Sequence, residues 1–278
     1  THSSYSPMWG TSTLEALCEA VRTQGHDTLA LTDTNGLYGA IRFLEVAKRA
    51  GLKPILGTEI IHAQHRAVLL AKSPEGYGNL CRLLSARHED EPFEFIETIQ
   101  RYRAGLVILS DDFQALTAWR AQSGDDLYVE LTPGADLQKA VSFSRQNCIP
   151  PVATTRAALL RPTDFEAHRL LRAIAENTTL SRLRPDCCCA PSHWLMPSSV
   201  MARALPHVPE ALSNTRRIAN QCATAWDFQT TIFPSFREMS ADGAVATLRA
   251  KTYNGAVWRY GVLSEIVRVR IEKELTVI

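Results

Sequence analysis

The chain has 278 residues, enough for one large domain or for one domain and part of a second. Hydrophobic residues make up 45% of it and charged residues 21%, the balance of an ordinary soluble globular protein. No apolar run approaches the ~18–20 residues of a membrane helix, so the sequence predicts no membrane association. The net charge of +1 does not by itself indicate a nucleic-acid partner, although a local basic face could still bind one.

Two features of the sequence concern its cellular compartment. Seven cysteines are an odd number for a disulfide framework in a chain of this length, so we expect a reducing compartment, the cytoplasm. The first ten residues, THSSYSPMWG, lack the charged and apolar regions of a signal peptide. A start at Thr1 suggests a trimmed chain.

The N-terminal part predicts a helix followed by a strand–helix–strand unit. Ser12 is the expected N-cap of the first helix, and Glu15 completes a capping box. Residues 28–32 then form a strand, 40–50 a helix and 54–61 a second strand. A unit of this length predicts a parallel strand pair, which brings Asp33 and Glu59 to one rim, where parallel α/β folds place their chemistry.

The rest of the chain continues the alternation and then loses it. Repeated β–α units predict a parallel sheet covered by helices, open or closed as a barrel. After residue 155 amphipathic helices dominate, with a break at Pro234. The predicted strands are 65–71, 106–110, 127–131 and 151–155, and the predicted helices are 77–86, 92–102, 113–121, 137–146, 163–177, 207–224 and two within 240–277.

A series of segments carries a family resemblance. They include HSSYS followed by GTS, LALTDTNGLYGAIRF, GLKPILGTEI, LLAKSPEGYGNLCRLLSARH, GLVILS, LYVEL, PVATT, FEAHRLLRAI, EALSNTRRIANQC, IFPSF and RVRIEKELTVI, in this order. The chain thus resembles the PHP (polymerase and histidinol phosphatase) domain at the N-terminus of bacterial DNA polymerase III alpha subunits, including their error-prone homologues. EGYGNLCRLLS and IEKELTVI are typical of the polymerase branch.

The resemblance implies an α/β fold. It implies a distorted TIM-like barrel of seven strands ringed by helices, followed by a helical segment. Residues 1–228 would form the PHP domain, and residues 229–278 would form a helical linker and the start of the polymerase palm region.

Active PHP domains resemble one another in a cluster of His, Asp, Glu and Cys side chains that holds up to three metals at the strand ends. Adjacent divalent ions there activate a water and neutralise a phosphate. The resemblance makes His2, Glu59 and His88 candidate metal ligands, with Asp112 in place of a family cysteine. Other ligand positions of the family carry Trp9, Thr34, Arg156 and Ala158.

These replacements predict a vestigial site. We expect no cofactor, or at most one divalent metal ion, because Arg156 keeps its charge and would repel nearby ions. Arg156 could instead pair with Glu59 or Asp112. Each remaining candidate also has an alternative: Glu59 as a salt-bridged acid, His88 as a hydrogen-bonded surface histidine, and His2 as part of a disordered terminus.

Two further groups invite a functional interpretation. Cys187, Cys188 and Cys189 with His193 suggest zinc, but the spacing differs from paired Cys-x-x-Cys knuckles, so we do not predict zinc there. Basic residues near the C-terminus could face DNA in a longer protein, or could form a solvated helix face. They are Arg249, Lys251, Arg259, Arg268, Arg270 and Lys273.

The sequence therefore supports two hypotheses of different classes. The first is a non-catalytic PHP module of a DNA polymerase III alpha-like protein, acting in replication or translesion synthesis. Its partners would be the rest of the polymerase chain, a proofreading exonuclease subunit, as the resemblance implies, and DNA through the full-length protein. The alternative is a metal-dependent phosphoesterase or 3′–5′ exonuclease on the same barrel. The parent family is a nucleotidyltransferase, but we expect this chain alone to be inactive as a polymerase.

Overall fold

The computed structural model divides the chain into two compact units, Thr1–Trp226 and Asp227–Ile278. The domain boundary predicted at residues 228 and 229 and the break at Pro234 involve positions outside the described residues, so both stay predictions. The described residues are 1–89, 92–134, 136–222, 226, 228, 236, 237 and 239–278.

The first unit is an α/β structure built on a curled sheet. Its described residues place six strands in the order β1-β2-β3-β4-β5-β6, and the seventh strand implied by the resemblance stays a prediction. The strands are β1 (Thr28–Leu31), β2 (Lys53–His62), β3 (His65–Ala71), β4 (Leu106–Ser110), β5 (Leu127–Leu131) and β6 (Pro151–Ala153).

The sheet is mixed, which corrects the prediction of a parallel sheet. β1 and β2 are parallel, as predicted, and so are β4, β5 and β6. β3, however, runs antiparallel to both β2 and β4. The reason is a two-residue turn at Ala63 and Gln64, a connection that can join only antiparallel strands. Ala63 takes a positive φ of 52° in this turn. Alanine rarely adopts this conformation, so the sequence did not indicate a tight turn here.

The helices follow the predicted positions with two corrections and one addition, the helix Ser198–Ala204, which was not predicted. Thr13, not Ser12, caps the first helix, because its side chain accepts a hydrogen bond from the Ala16 amide at 3.2 Å. The helix predicted over 92–102 begins only at Phe95. The helices are α1 (Leu14–Thr23), α2 (Ala40–Arg49), α3 (Pro74–His88), α4 (Phe95–Arg101), α5 (Phe113–Gln122), α6 (Leu137–Asn147), α7 (Phe165–Ala175), α8 (Ser198–Ala204), α9 (Pro209–Gln221), α10 (Ala241–Tyr260) and α11 (Glu265–Val277).

The two faces of the sheet are both buried, and the strand period of two residues separates them. In β4, Leu106 and Ile108 pack in a core with α3 to α6, whereas Val107 and Leu109 pack in a second core with Ile218 of α9. We call the face toward α9 the inner face. Each strand therefore presents every second side chain to it, a rule that positions the charged residues described below.

The second unit contains α10 and α11. Arg249 of α10 pairs with Glu272 of α11 at 2.6 Å, and the Tyr253 hydroxyl donates to the same carboxylate. The 207–224 helix prediction belongs to the first unit, where α9 ends at Gln221 and residues 223 and 224 are outside the described set. Among the described residues, no helix is both long enough and apolar enough to cross a membrane.

Candidate functional site

Charged side chains gather where the inner face of the sheet ends. Asp111 and Glu130 follow the inner-face residues Leu109 and Tyr128 by two positions, and Glu59 follows inner-face Ile55 by four, so alternation points all three acids to that face. Arg66 of antiparallel β3 precedes inner-face Val68 by two positions, and Arg156 lies beyond β6. We call these five residues the rim network.

Arg66 joins two buried acids in this network. Its Nε donates to Glu59 at 2.5 Å, and its Nη1 donates to Glu130. The side chains of Glu59 and Glu130 are only 4% and 1% exposed. A charge-assisted hydrogen bond to an ionised carboxylate is stronger than a neutral one, so Arg66 ties β2, β3 and β5 together at one point.

Arg156 adds a second guanidinium on the β6 side. Its Nε and Nη2 reach one oxygen of Glu130 at 3.0 and 2.8 Å, and Nη2 also reaches Asp111 at 2.7 Å. The other oxygen of Glu130 accepts a hydrogen bond from the Thr154 hydroxyl at 2.6 Å. Arg156 has a positive φ of 48°, uncommon for a residue with a side chain.

The charges of the network keep Glu59 and Glu130 ionised. Burial alone would raise the pKa of Glu130, but Arg66 and Arg156 hold that pKa well below its ordinary value. Burial likewise acts to raise the pKa of Glu59, and the charge of Arg66 lowers it below its usual range. The two acids in turn raise the pKa of Arg66 against the effect of burial. Glu59, Glu130 and Arg66 are therefore charged at neutral pH.

The N-terminal segment lies across the same rim and brings His2 to it. Asp33, which follows β1, accepts hydrogen bonds from the Ser3 amide at 2.7 Å and the Ser6 hydroxyl at 2.7 Å. His2 Nε2 then lies 3.4 Å from Glu59. The turn back from this segment requires Gly10, because a Cβ there would stand 1.9 Å from the Ser3 carbonyl oxygen.

His2 is held as a neutral imidazole. Burial lowers its pKa to about 4, although the Glu59 carboxylate acts in the opposite direction. The Thr34 hydroxyl, at the position where the family has an imidazole, donates to Glu59 at 3.1 Å. Glu59 is thus surrounded by His2, Thr34 and Arg66.

The predicted site residues divide into two groups. His2 and Glu59 meet at the rim. His88, at the end of α3, is hydrogen-bonded through Nε2 to the Asn35 carbonyl at 3.0 Å. Asp112 follows Asp111 by one position, so its side chain does not point to the inner face. It caps α5 by accepting a hydrogen bond from the Ala115 amide at 3.0 Å, and it is hydrogen-bonded to His65 at 2.5 Å. His2, Glu59, His88 and Asp112 as vestigial metal ligands stay a prediction.

The predicted partners of Arg156 were wrong, and the network's main residues were missed. Arg156 pairs with Asp111 and Glu130 rather than with Glu59 or Asp112. Arg66 and Glu130 were not predicted as site residues, because they lie within segments that were predicted only as strands. The available signal was an ionisable residue within a short apolar strand, as Glu130 is in LYVEL, because a buried charge needs a partner.

The cysteine-rich loop makes hydrogen bonds with α7. His168 Nε2 accepts from the Cys189 amide at 2.9 Å, and Arg172 Nε donates to the Cys187 carbonyl at 2.7 Å. Burial, followed by the charges of Arg156 and Arg66, lowers the pKa of His193 to about 4. Among the described residues, no three His, Cys, Asp or Glu side chains are arranged to hold a metal ion. Of the basic C-terminal residues, Arg249 and Arg270 pair with Glu272 and Glu274.

Comparison with known sequences defines the class. Residues 1–131 match the sequence model of the PHP domain. Over this stretch the chain is therefore similar to PHP domains, and its homologues are DNA polymerase III alpha subunits and an error-prone DNA polymerase.

Individual relatives agree with this class. An error-prone DNA polymerase from Symbiobacterium thermophilum is 28% identical over an alignment that covers all of this chain and 30% of that polymerase. A DNA polymerase III subunit alpha from Halalkalibacterium halodurans is 27% identical, over 94% of this chain and 26% of that subunit. The chain thus spans less than a third of the length of these relatives. A solved metal-dependent phosphoesterase from Bifidobacterium adolescentis is 13% identical over 55% of this chain and 84% of its own, and its TM-score of 0.40 is too low to carry an argument.

Proposed function

We propose that this chain is a non-catalytic PHP module of a DNA polymerase III alpha-like protein, in which the rim network replaces the metal cluster of active relatives. One observation carries the proposal: the guanidinium groups of Arg66 and Arg156 are hydrogen-bonded to the buried carboxylate of Glu130. The positive charge that divalent ions would bring to these acids is supplied by the chain itself. The module would serve as a scaffold and an interaction surface.

The donor set supports this proposal on chemical grounds. One oxygen of Glu59 accepts from Arg66 and the other from Thr34, and both oxygens of Glu130 also have donors. A metal ion would have to displace these donors and then lie beside two guanidiniums that remain charged at any accessible pH. Removing ligands also removes the outer contacts that orient those that remain. These residues therefore do not fit a metal cluster, and at most one divalent ion is compatible with the donors left.

The wider assignment extends the proposal to the whole protein. The fold would be the seven-stranded, TIM-like PHP barrel, and residues 229–278 would lead into a polymerase palm. The rest of the polymerase chain would be the main partner, a proofreading exonuclease subunit would be a second, and DNA would be reached through the longer protein. The relatives' names and the alignment over all or nearly all of this chain support this placement, with the cytoplasm as its location.

A hydrolysis assay separates the proposal from the alternative of a phosphoesterase or 3′–5′ exonuclease. The purified chain is incubated with single-stranded DNA and with a generic phosphoester, each with Mg²⁺, Mn²⁺ or Zn²⁺. We expect no turnover above that of the Glu59→Gln variant, which keeps the shape of the site but lacks the acid. Turnover that a chelator stops and that Glu59→Gln abolishes would overturn the proposal, because a contaminating nuclease would survive the substitution.

A further inference from the structure

The inference concerns a cavity where the C-terminal end of α3 meets the β2–β3 turn and the start of α4. Its volume is about 820 Å³, in the upper part of the range for ligand pockets. Phe93 and Phe95, both buried, form its apolar wall. The cavity has no lining residue in common with the rim network.

Arg87, in the last turn of α3, brings an unpartnered positive charge to this wall. It makes no hydrogen bond or ion pair with any described residue, and its Nε is fully buried. Every other half-buried arginine in the described part of the chain donates hydrogen bonds; these are Arg66, Arg103, Arg156, Arg169 and Arg172. A buried donor without an acceptor is costly, so Arg87 points to an acceptor from outside the chain.

His62 supplies a second donor beside the same aromatic ring. The guanidinium carbon of Arg87 lies 5.8 Å from the centre of the Phe93 ring, and the centre of the His62 ring lies 5.2 Å from it. The His62 imidazole also has no hydrogen bond to a described residue. A carboxylate, which accepts through two oxygens, is the group that a guanidinium and an imidazole can bind together.

Acidic residues line the outer part of the same cavity. Glu89, Glu94 and Glu97 belong to its lining and are exposed, whereas Arg87 and His62 are half-buried. The cavity therefore has donors and a positive charge in its depth and negative charges toward solvent. A ligand complementary to both regions carries a carboxylate at its inner end and a cationic group at its outer end.

We propose that this cavity binds a short peptide segment of a partner protein, with an acidic side chain at Arg87 and His62 and a basic side chain at the three glutamates. An extended segment rises about 3.3 Å per residue, so two or three residues separate the two charged groups. The inference rests on the interaction role proposed above and specifies its partner. The assignment of a non-catalytic rim depends on other residues and on the hydrolysis assay, so a failure here would leave it standing.

The test measures the dissociation constants of blocked tripeptides for the folded chain by saturation-transfer NMR. The probe is acetyl-Glu-Leu-Lys-amide, and the two controls are acetyl-Gln-Leu-Lys-amide, which lacks the acid, and acetyl-Glu-Leu-Glu-amide, which lacks the cation. We expect the Gln peptide to bind about tenfold more weakly than the probe, since a charge-assisted hydrogen bond is lost. The Glu-Leu-Glu peptide should also bind more weakly, because the glutamates at the mouth repel its second acid.

Substitution of Arg87 separates its contact from the rest of the cavity. Arg87→Gln should weaken the probe by about tenfold and should bind the Glu and Gln peptides equally, because the partner of the acid is gone. Arg82→Gln is the matched control: Arg82 is an exposed residue of the same helix, bonded to Asn79 at 2.9 Å and outside the cavity lining. It should leave the affinity for the probe unchanged.

Three results would overturn the proposal. The first is equal binding, or no binding, of the Glu and Gln peptides to the unaltered chain. The second is an affinity for the probe that Arg87→Gln retains. The third is tighter binding of free L-glutamate than of the blocked peptide, which would assign the cavity to a small metabolite. The peptide comparison needs only the unaltered chain, so it decides the question even where Arg87→Gln folds poorly.

Discussion

Arg66 is the residue on which the rim network depends, because its guanidinium bonds both Glu59 and Glu130. Replacing Arg66 by Met would leave two buried carboxylates short of a partner, and we expect a loss of about 3–5 kcal/mol in the free energy of unfolding. Arg156→Met should lower the free energy of unfolding by less, because Glu130 would keep its hydrogen bonds from Arg66 and Thr154. Urea unfolding of both variants measures the difference.

A double-substitution cycle provides the control for that ranking. Glu130→Gln removes the charge that Arg66 and Arg156 share, so the cost of Arg156→Met should shrink when Glu130 is already Gln. An equal cost in both backgrounds, or a larger loss for Arg156→Met than for Arg66→Met, would show that the network does not have Arg66 at its centre.

The ionisation of Glu130 predicts how stability depends on pH. Its pKa in the folded chain lies below the value of about 4.3 that an exposed glutamate has, so its charge stabilises the fold at any pH above that value. The contribution is lost as the pH falls toward the folded pKa. We expect the free energy of unfolding to drop below about pH 4, by at most about 1.4 kcal/mol per pH unit for each such acid.

The Glu130→Gln variant should be less stable at pH 7 and should show a shallower drop on acidification. Thermal or urea unfolding at pH 7, 5, 4 and 3 compares the two chains. A drop of the same steepness in both would assign the acid sensitivity to other carboxylates.

At the scale of single residues, family motifs pointed to some residues of the site, whereas the others follow from different rules. Glu59 and His2 were predicted because they occupy recognisable positions beside family motifs. Glu130 and Arg66 could have been predicted only from the rule that a charge in a buried strand needs a partner. The choice of partner for Arg156 depends on register between β4, β5 and β6, which no local pattern encodes.

At the scale of elements, predictions succeeded where short apolar strands are bounded by turns. β4 and β5 have the predicted bounds, Leu106–Ser110 and Leu127–Leu131. The direction of β3 was wrong, because the turn that reverses the chain uses Ala63 instead of a glycine or asparagine. Asp112 was named because the resemblance aligns it with a family cysteine, whereas the alternation of β4 points Asp111 to the inner face.

The β2–β3 turn offers a direct test of this account. Ala63 adopts a left-handed conformation that costs a residue with a Cβ about 1–2 kcal/mol relative to glycine. We expect Ala63→Gly to raise the free energy of unfolding by about 1 kcal/mol. Ala121→Gly, at an exposed position in α5, is the matched control and should lower it by about 0.5–1 kcal/mol. Destabilisation by Ala63→Gly would contradict the turn geometry.

At the scale of the whole molecule, the resemblance places the polymerase palm after the segment RVRIEKELTVI. Polymerases transfer nucleotides with paired aspartates that hold two metal ions, and the family has these acids in the palm. We therefore expect the 278-residue chain not to extend a primer on a DNA template. A gel-based extension assay, with a known polymerase as positive control, tests this. Extension that follows the chain through successive purification steps would show that the nucleotidyl-transfer site lies within it.

The central claim is that guanidiniums of this chain occupy the electrostatic role of metal ions. Its most direct test is the metal content of the untagged chain, grown in medium supplemented with Mn, Fe and Zn and purified without chelator. We predict less than one tightly bound ion per chain by elemental analysis, with no difference from the Glu59→Gln variant. Two or more ions retained per chain, and lost in Glu59→Gln, would contradict the account.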